Sequence, residues 1–264
     1  MKTTVMKNAR LKTVLATVMI LLALFSIFSL TVNAAAASDL PVTVDTQTVV
    51  LKDTDADGFY EIDSVDELYA FAAAVNGGNT AINAELTANI VVNNGVLKND
   101  GSLNGDGSNF REWTPIGTQT KPFKGNFNGN NYTVSGLYLN DQNVSYIGLF
   151  GNVASNTAND NVIENVGVKD SYFNGNRFIG GVVGSNGATV TNCYNGASVV
   201  SKNEYAGGVV GSNTGIVTDC YNDGAITGNN YVGGVVGANN GGVVTKAYNV
   251  GAVYGENAPG WYMW

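Results

Sequence analysis

The chain has 264 residues, 13 Lys and Arg against 21 Asp and Glu, a formal net charge of −8 and no histidine. An acidic surface repels phosphate backbones, which excludes nucleic acid as a partner; without histidine, no Ser-His, Cys-His or His-ligated zinc chemistry can be built within the chain. Charged residues are only 13% of the total, while Gly numbers 34 and Tyr 13, a composition of close-packed β structure with many turns rather than of disorder.

Residues 1–37 read as a secretory signal peptide. Lys2, Lys7, Arg10 and Lys12 form a basic start without an acid, an apolar run follows from Val14 to Leu30, and "TVNAAAASDL" offers cleavage after Ala34 or Ala37. The alternative is an uncleaved anchor, because the run approaches the ~18 residues of a spanning helix; the alanine cluster favours cleavage. Losing four basic residues and no acid takes the charge of the exported part from −8 to −12. The expectation is a protein, secreted or held at the cell surface, that meets the membrane only through this segment during export. Two cysteines are too few for a disulfide framework.

Residues 38–122 read as an N-terminal cap region. Asp53, Asp55, Asp57 and Gly58 have the spacing that opens a calcium loop. The twelfth position, however, is Ser64 rather than a bidentate acid, so the stretch reads as a solvated acidic turn, and no metal or cofactor is assigned. Ser64 and Glu67 stand as a capping box, Val65, Leu68, Phe71 and Ala72 share one face, and Asn76-Gly77 is a stop: a short helix over 64–76. Ala84 to Val92 predicts a strand, and "NNGVLKNDGSLNGDGSN" a long loop. Such elements at the end of a stack cover its first coil, whose open edge would otherwise template aggregation.

Residues 123–257 repeat themselves. "FIGGVVGSNGATVTNCYNGASV", "YAGGVVGSNTGIVTDCYNDGAI" and "YVGGVVGANNGGVVTKAYNVGAV" follow one another at steps of 26 and 27 residues. A fixed period of this size means stacked units, and short Val, Ile, Thr and Tyr runs broken by Gly and Asn mean strands. The predicted fold is all-β: a parallel β-solenoid of about five coils, with equivalent residues about 4.8 Å apart and an N-terminal cap containing one short α-helix. Val182, Val209 and Val235 repeat one apolar position, and Val190, Val217 and Val244 another. The columns Asn186, Asn213, Asn239 and Asn195, Asn222, Asn249 can hydrogen-bond amide to amide. The column Asn192, Asp219, Lys246 changes chemistry at each step and so faces water, with a corner near residue 192. Two looser coils precede these three, starting at Phe123 and Tyr146, the second with extra residues around "ASNTAND"; 258–264 reads as a truncated or tail segment.

Gly148-Leu149-Phe150-Gly151 resembles the motif that names the GLUG-repeat proteins of bacterial surfaces, and the Gly-Val-Val-Gly runs at 181–184, 208–211 and 234–237 resemble its variants. "WTPIGTQTKPFKGNFNGNNYTVSGLYLN" and the helix-bearing "YEIDSVDELYAFAAAVNGG" are similar to the segments that introduce such repeats. The resemblance implies an exported repeat protein of the kind found beside streptococcal immunoglobulin A protease domains and in adhesin-like proteins. It carries no catalytic residues over, and an HExxH zinc site is impossible here.

Cys193 and Cys220 fall in one column and read as unpaired packing thiols, because parallel in-register side chains do not point at each other. Glu204, Asp219, Asp223 and Glu256 have no acidic counterparts in neighbouring coils, so no carboxylate pair recurs. The surface candidate is the column Tyr194, Tyr221, Tyr248: outward, it makes a flat strip for a sugar or peptide; inward, a core ladder. The functional expectation is a non-catalytic binding, adhesion or spacer module, with a glycan or a host or cell-surface protein as partner. The alternatives are a β-helix enzyme acting on extracellular polysaccharide and the N-terminal stalk of a larger surface protein.

Overall fold

The computed structural model describes residues 37–155 and 161–256. The expected signal peptide up to Ala36, most of the "ASNTAND" insertion and the 258–264 segment lie outside the described residues.

A hairpin opens the described chain. Leu40–Val44 pairs antiparallel with Gln47–Leu51 through the two-residue turn Asp45-Thr46. Both turn residues have positive φ, 47° and 72°, as the twist-matched type I′ turn requires. Sequence reading passes over this hairpin because Asp-Thr lacks the Asn-Gly or Asp-Gly signature of the turn. Helix α1, Val65–Gly77, follows. Ser64 caps it, taking the Glu67 N–H at 3.4 Å, while the Glu67 carboxylate accepts from Asp63 N at 3.0 Å and from the Ser64 hydroxyl at 2.9 Å. Gly78, at φ 130°, ends it by donating to Ala74 and Val75 carbonyls. The apolar face packs on the first coils, with Phe71 against Phe123 and Phe127 at 5.9 and 6.1 Å, and Tyr69 edge-on to Trp113 at 5.1 Å.

Beyond the cap elements the strands stack in parallel as a solenoid. One face holds seven strands, from Phe59–Ile62 and Asn83–Leu86 at the start to Ile216–Thr218 and Val243–Thr245 at the far end. A single column runs through all of them: Tyr60, Ala84, Phe127, Ile163, Val190, Val217 and Val244 pair in register. The stack therefore has about seven turns, not five. The expected strand Ala84 to Val92 explains part of the difference. It is two strands, Asn83–Leu86 and Ile90–Val91, lying on two faces with a corner between them, so it belongs to a coil of its own.

Sharp corners divide each turn into three faces, and two of the corners are left-handed. One falls at Asn165, Asn192, Asp219 and Lys246, with φ between 48° and 56°; this is the corner expected near residue 192. The other falls at Tyr146, Phe178, Tyr205 and Tyr231, with φ between 52° and 65°. The core between the faces is filled by Phe127, Phe150, Phe173 and columns of Val and Ile such as Ile163, Val190 and Val217, all fully buried until the last coil, where Val244 lies open. At 25 cal/mol per Å2 of apolar surface, each such side chain stabilises by roughly 2 kcal/mol, and stacking repeats it from coil to coil.

The amide columns tie the coils together from inside. Asn186 donates to Asn213 at 2.8 Å and Asn213 to Asn239 at 2.9 Å; Asn195 donates to Asn222 at 2.7 Å and Asn222 to Asn249 at 2.6 Å. Each amide also bridges its own corner: Asn195 donates to Ala197 O and accepts from Ala197 N. The repeated glycine motif makes room for one of these ladders. A Cβ on Gly208 would lie 2.3 Å from Asn222 Cγ and 2.2 Å from Gly234 O, and one on Gly181 only 1.8 Å from Asn195 Oδ1. The glycine and the asparagine are thus one device, split between two faces.

Candidate functional site

The tyrosine column lies on the outward side of the longest face. Tyr194 opens the strand Tyr194–Gly207, where it pairs with Tyr221, which pairs with Tyr248. Alternation from the corner at Asn192 turns Asn195, Ala197 and Val199 inward, all at 0% exposure, and leaves Tyr194, Gly196 and Val200 outside. The rings stack with centroids 4.9 and 5.2 Å apart and planes within 3° and 7° of parallel. Below Tyr194 the same column holds Gly167, and the Tyr194 ring covers it: a Cβ there would meet the ring at 2.2 Å. The ladder thus begins where a glycine gives it a seat.

Parallel rings this close shield one another's faces. The column is therefore less a flat platform than a comb of ring edges and hydroxyls, with the most open ring at Tyr248, 58% exposed. Lys169 stands 5.3 Å from the Tyr194 ring centroid, and its hydrogen bond to Tyr194 raises its ammonium above the ordinary range. Burial raises the Tyr221 hydroxyl, with Tyr194 and Asp223 adding to the effect. A cation and an acid, Lys169 and Asp223, flank the ladder.

Two other acids of the repeats are held in ion pairs. Glu204 pairs with Arg177, and Asp219 with Lys246 at 3.5 Å. Glu256 is exposed at the last described turn. Cys193 and Cys220 are buried free thiols. Each donates to the carbonyl two residues before it, Cys193 to Thr191 O at 3.2 Å and Cys220 to Thr218 O at 3.1 Å. Burial pushes the Cys193 thiol well above its ordinary value.

The acidic turn is richer than its sequence suggests. Asp53 accepts from the N–H groups of Ala37, Asp57 and Gly58, and Glu61 from Thr54 N and Oγ1. Burial acts to raise the Asp53 carboxyl, and these backbone donors outweigh it and hold it below its ordinary value. Oxygens of Asp53, Asp55 and Glu61 lie within 4.8 Å of one another, as do those of Asp55, Asp57 and Glu85. These are the residues of the described chain that could hold a hard cation. Glu61 and Glu85 were invisible to spacing arguments: they come from the first two strands of the seven-stranded face, which pair Glu61 with Glu85. Ser64, at the twelfth position of the loop, is spent on the helix cap.

The second aromatic column was also missed. Tyr146, Phe178, Tyr205 and Tyr231 stack at 4.8, 4.8 and 5.1 Å along the other left-handed corner. The signal was the aromatic two residues before a glycine in each of these coils, Gly148, Gly180, Gly207 and Gly233.

Comparison with known proteins agrees with this geometry. The family model described as "The GLUG motif" matches residues 202–227. The chain is 33% identical over 140 residues to Halomucin of Haloquadratum walsbyi, an alignment covering 52% of this chain and 1% of that protein. It is 30% identical over 83 residues to a protein of Evansella cellulosilytica described as a Gly-rich membrane protein, covering 30% of this chain and 9% of the other. The chain thus spans a small part of each relative. Among solved structures, a Bacteroides ovatus protein described as an immunoglobulin A1 protease superposes with a TM-score of 0.59 at 18% identity, over 77% of this chain and 60% of that one. That likeness concerns the fold alone. The chain thus carries the GLUG motif in one coil, and variants of it repeat in register through the neighbouring coils.

Proposed function

We propose that this protein is exported and works at the cell surface as a non-catalytic binding and spacing module, with Tyr194, Tyr221 and Tyr248 as the contact strip for an extended glycan or surface protein. The observation that carries this reading is the tyrosine ladder itself: three stacked rings on the outward side of an unbroken parallel stack. A rigid rod that repeats one aromatic group at each rung meets a polymer with many weak, equally spaced contacts. Export rests on the basic and apolar start of the sequence. A surface setting is in keeping with the relatives, one of them described as a membrane protein. The absence of turnover rests on the repeats lacking both histidine and a recurring carboxylate pair, with Glu204 and Asp219 engaged by Arg177 and Lys246.

The test incubates the purified protein with a panel of cell-wall and host glycans and with host surface proteins, following binding and new reducing ends together. Binding without product, weakened by Tyr221→Ala and indifferent to EDTA, is the expected result. Sustained product release, abolished by changing a single Asp or Glu, would make the protein an enzyme on extracellular polysaccharide instead.

A further inference from the structure

We infer that the corner carrying Tyr146, Phe178, Tyr205 and Tyr231 is a second ligand-contacting ridge, fitted to a neutral glycan chain; the inference rests on the reading of the solenoid as a binding module. The backbone gives the first reason. All four residues sit in the left-handed region, at φ of 65°, 59°, 65° and 52°, where a bulky side chain is an outlier while Asn and Asp are tolerated. The same molecule shows the easier solution at its other left-handed corner, which uses Asn165, Asn192, Asp219 and Lys246. Keeping an aromatic through four consecutive coils, against backbone preference, means that the ring itself is wanted there.

Packing in the core does not account for the rings. The residue after each of the first three, Ile147, Ile179 and Ala206, is fully buried, whereas the rings are only partly covered and Tyr231 is 59% exposed. They form a ridge on the outside of the corner. Stacking at 4.8 to 5.1 Å returns some of the backbone cost.

The chemistry around the ridge selects the ligand. The cation that touches the rings, Arg177, lies 5.2 Å from the Phe178 centroid and 5.6 Å from that of Tyr205, and it is neutralised by Glu204. A charged polymer gains nothing from this pair. The ridge itself offers uncharged groups: ring edges, the hydroxyls of the three tyrosines, and the amides of Asn176 and Asn203, which bond to each other beside the rings. Groups that both donate and accept match sugar hydroxyls, which do the same. One ring per rung suits a polymer that presents one monomer per rung, as an extended glycan does.

Affinity electrophoresis of the protein through gels carrying hydroxyethyl cellulose, glycol chitin or laminarin, with polygalacturonate as the anionic control, tests this. At least one neutral polymer should retard the protein, and polygalacturonate should not. Tyr205→Asn puts the other corner's residue type into the same backbone, and the apparent affinity should fall about tenfold while the melting temperature holds. Should that variant not fold, Tyr231→Asn at the exposed end of the ridge decides, with the same expectation. Retention of wild-type mobility shifts by the Asn variant, retardation by polygalacturonate alone, or no retardation by any neutral polymer overturns the inference. So does a dimer in sedimentation that Tyr205→Asn dissolves. Tyr221→Ala run alongside separates the two surfaces. If it alone weakens retardation, the ridge is wrong and the tyrosine strip stands; if only Tyr205→Asn does, the reverse holds.

Discussion

Tyr194 and Asn195 are neighbours in the chain, and both recur at steps of 27 residues, as Tyr221 and Asn222 and then as Tyr248 and Asn249. In sequence the two columns look alike; in the solenoid they do opposite work. The asparagines turn inward, are fully buried at Asn195 and Asn222, and bond amide to amide at 2.7 and 2.6 Å. The tyrosines turn outward and touch only through their rings, at 4.9 and 5.2 Å. Repetition therefore marks register but not side. Side is decided one residue at a time, by alternation counted from the left-handed corner at Asn192.

Substitutions in the two columns put that contrast to the test. Asn222→Ala should be the most damaging. It removes an acceptor for Asn195 Nδ2 and Gly224 N and the donor to Gly224 O and Asn249, all beneath a buried corner. Stranding such groups should lower the unfolding free energy by about 3 kcal/mol, measured by urea denaturation. Gly208→Ala should follow at about 2 kcal/mol, because the added methyl overpacks against Asn222 and the Gly234 carbonyl. Tyr221→Ala should lose only about 1 kcal/mol, the worth of ring stacking on a half-exposed face, yet weaken ligand binding more than either. If Tyr221→Ala costs as much stability as Asn222→Ala, the tyrosine column belongs to the structure rather than to the surface.

Much of the fold was legible because a repeat constrains itself. The Val190, Val217, Val244 column, both asparagine ladders and the corner at residue 192 follow from the 26- and 27-residue step and appear in register. The helix was legible from Ser64 and Glu67 because a cap is a local device. The coil count was not. The first turns are written in other residues: Tyr60 and Ala84 occupy the column later held by valines, so no period announces them. Nor could spacing find Glu61 and Glu85 beside Asp55, since strand pairing and not sequence distance brings them there. The aromatic corner was visible as the first letter of each repeat. Its meaning was not, because left-handed backbone at an aromatic is the last thing propensity would suggest.

The smallest expected effect is a titration, and it contrasts a buried tyrosine of the cap with the ladder. Tyr69, on the buried face of α1, donates to Glu112 O at 2.7 Å and carries the Arg111 guanidinium 3.8 Å over its ring. Burial, with help from Asp45 and Glu112, pushes its hydroxyl from 10.0 up to about 12 despite the opposing charge of Arg111. Because the folded value is raised, the stability tied to the neutral phenol is fully present below pH 10 and is lost as pH climbs toward 12. Tyr69→Phe gives up one hydrogen bond, about 1 kcal/mol at neutral pH, but removes a proton that the fold must otherwise keep. Its unfolding free energy should therefore fall less steeply across this alkaline window than that of the parent protein. Tyr221→Phe should change the slope less, because its hydroxyl sits on the outward comb where water solvates the phenolate. Urea midpoints taken at intervals through the window give both slopes. Equal flattening by the two variants would mean that the ladder is as sheltered as the cap, and that its tyrosines are not free to meet a ligand.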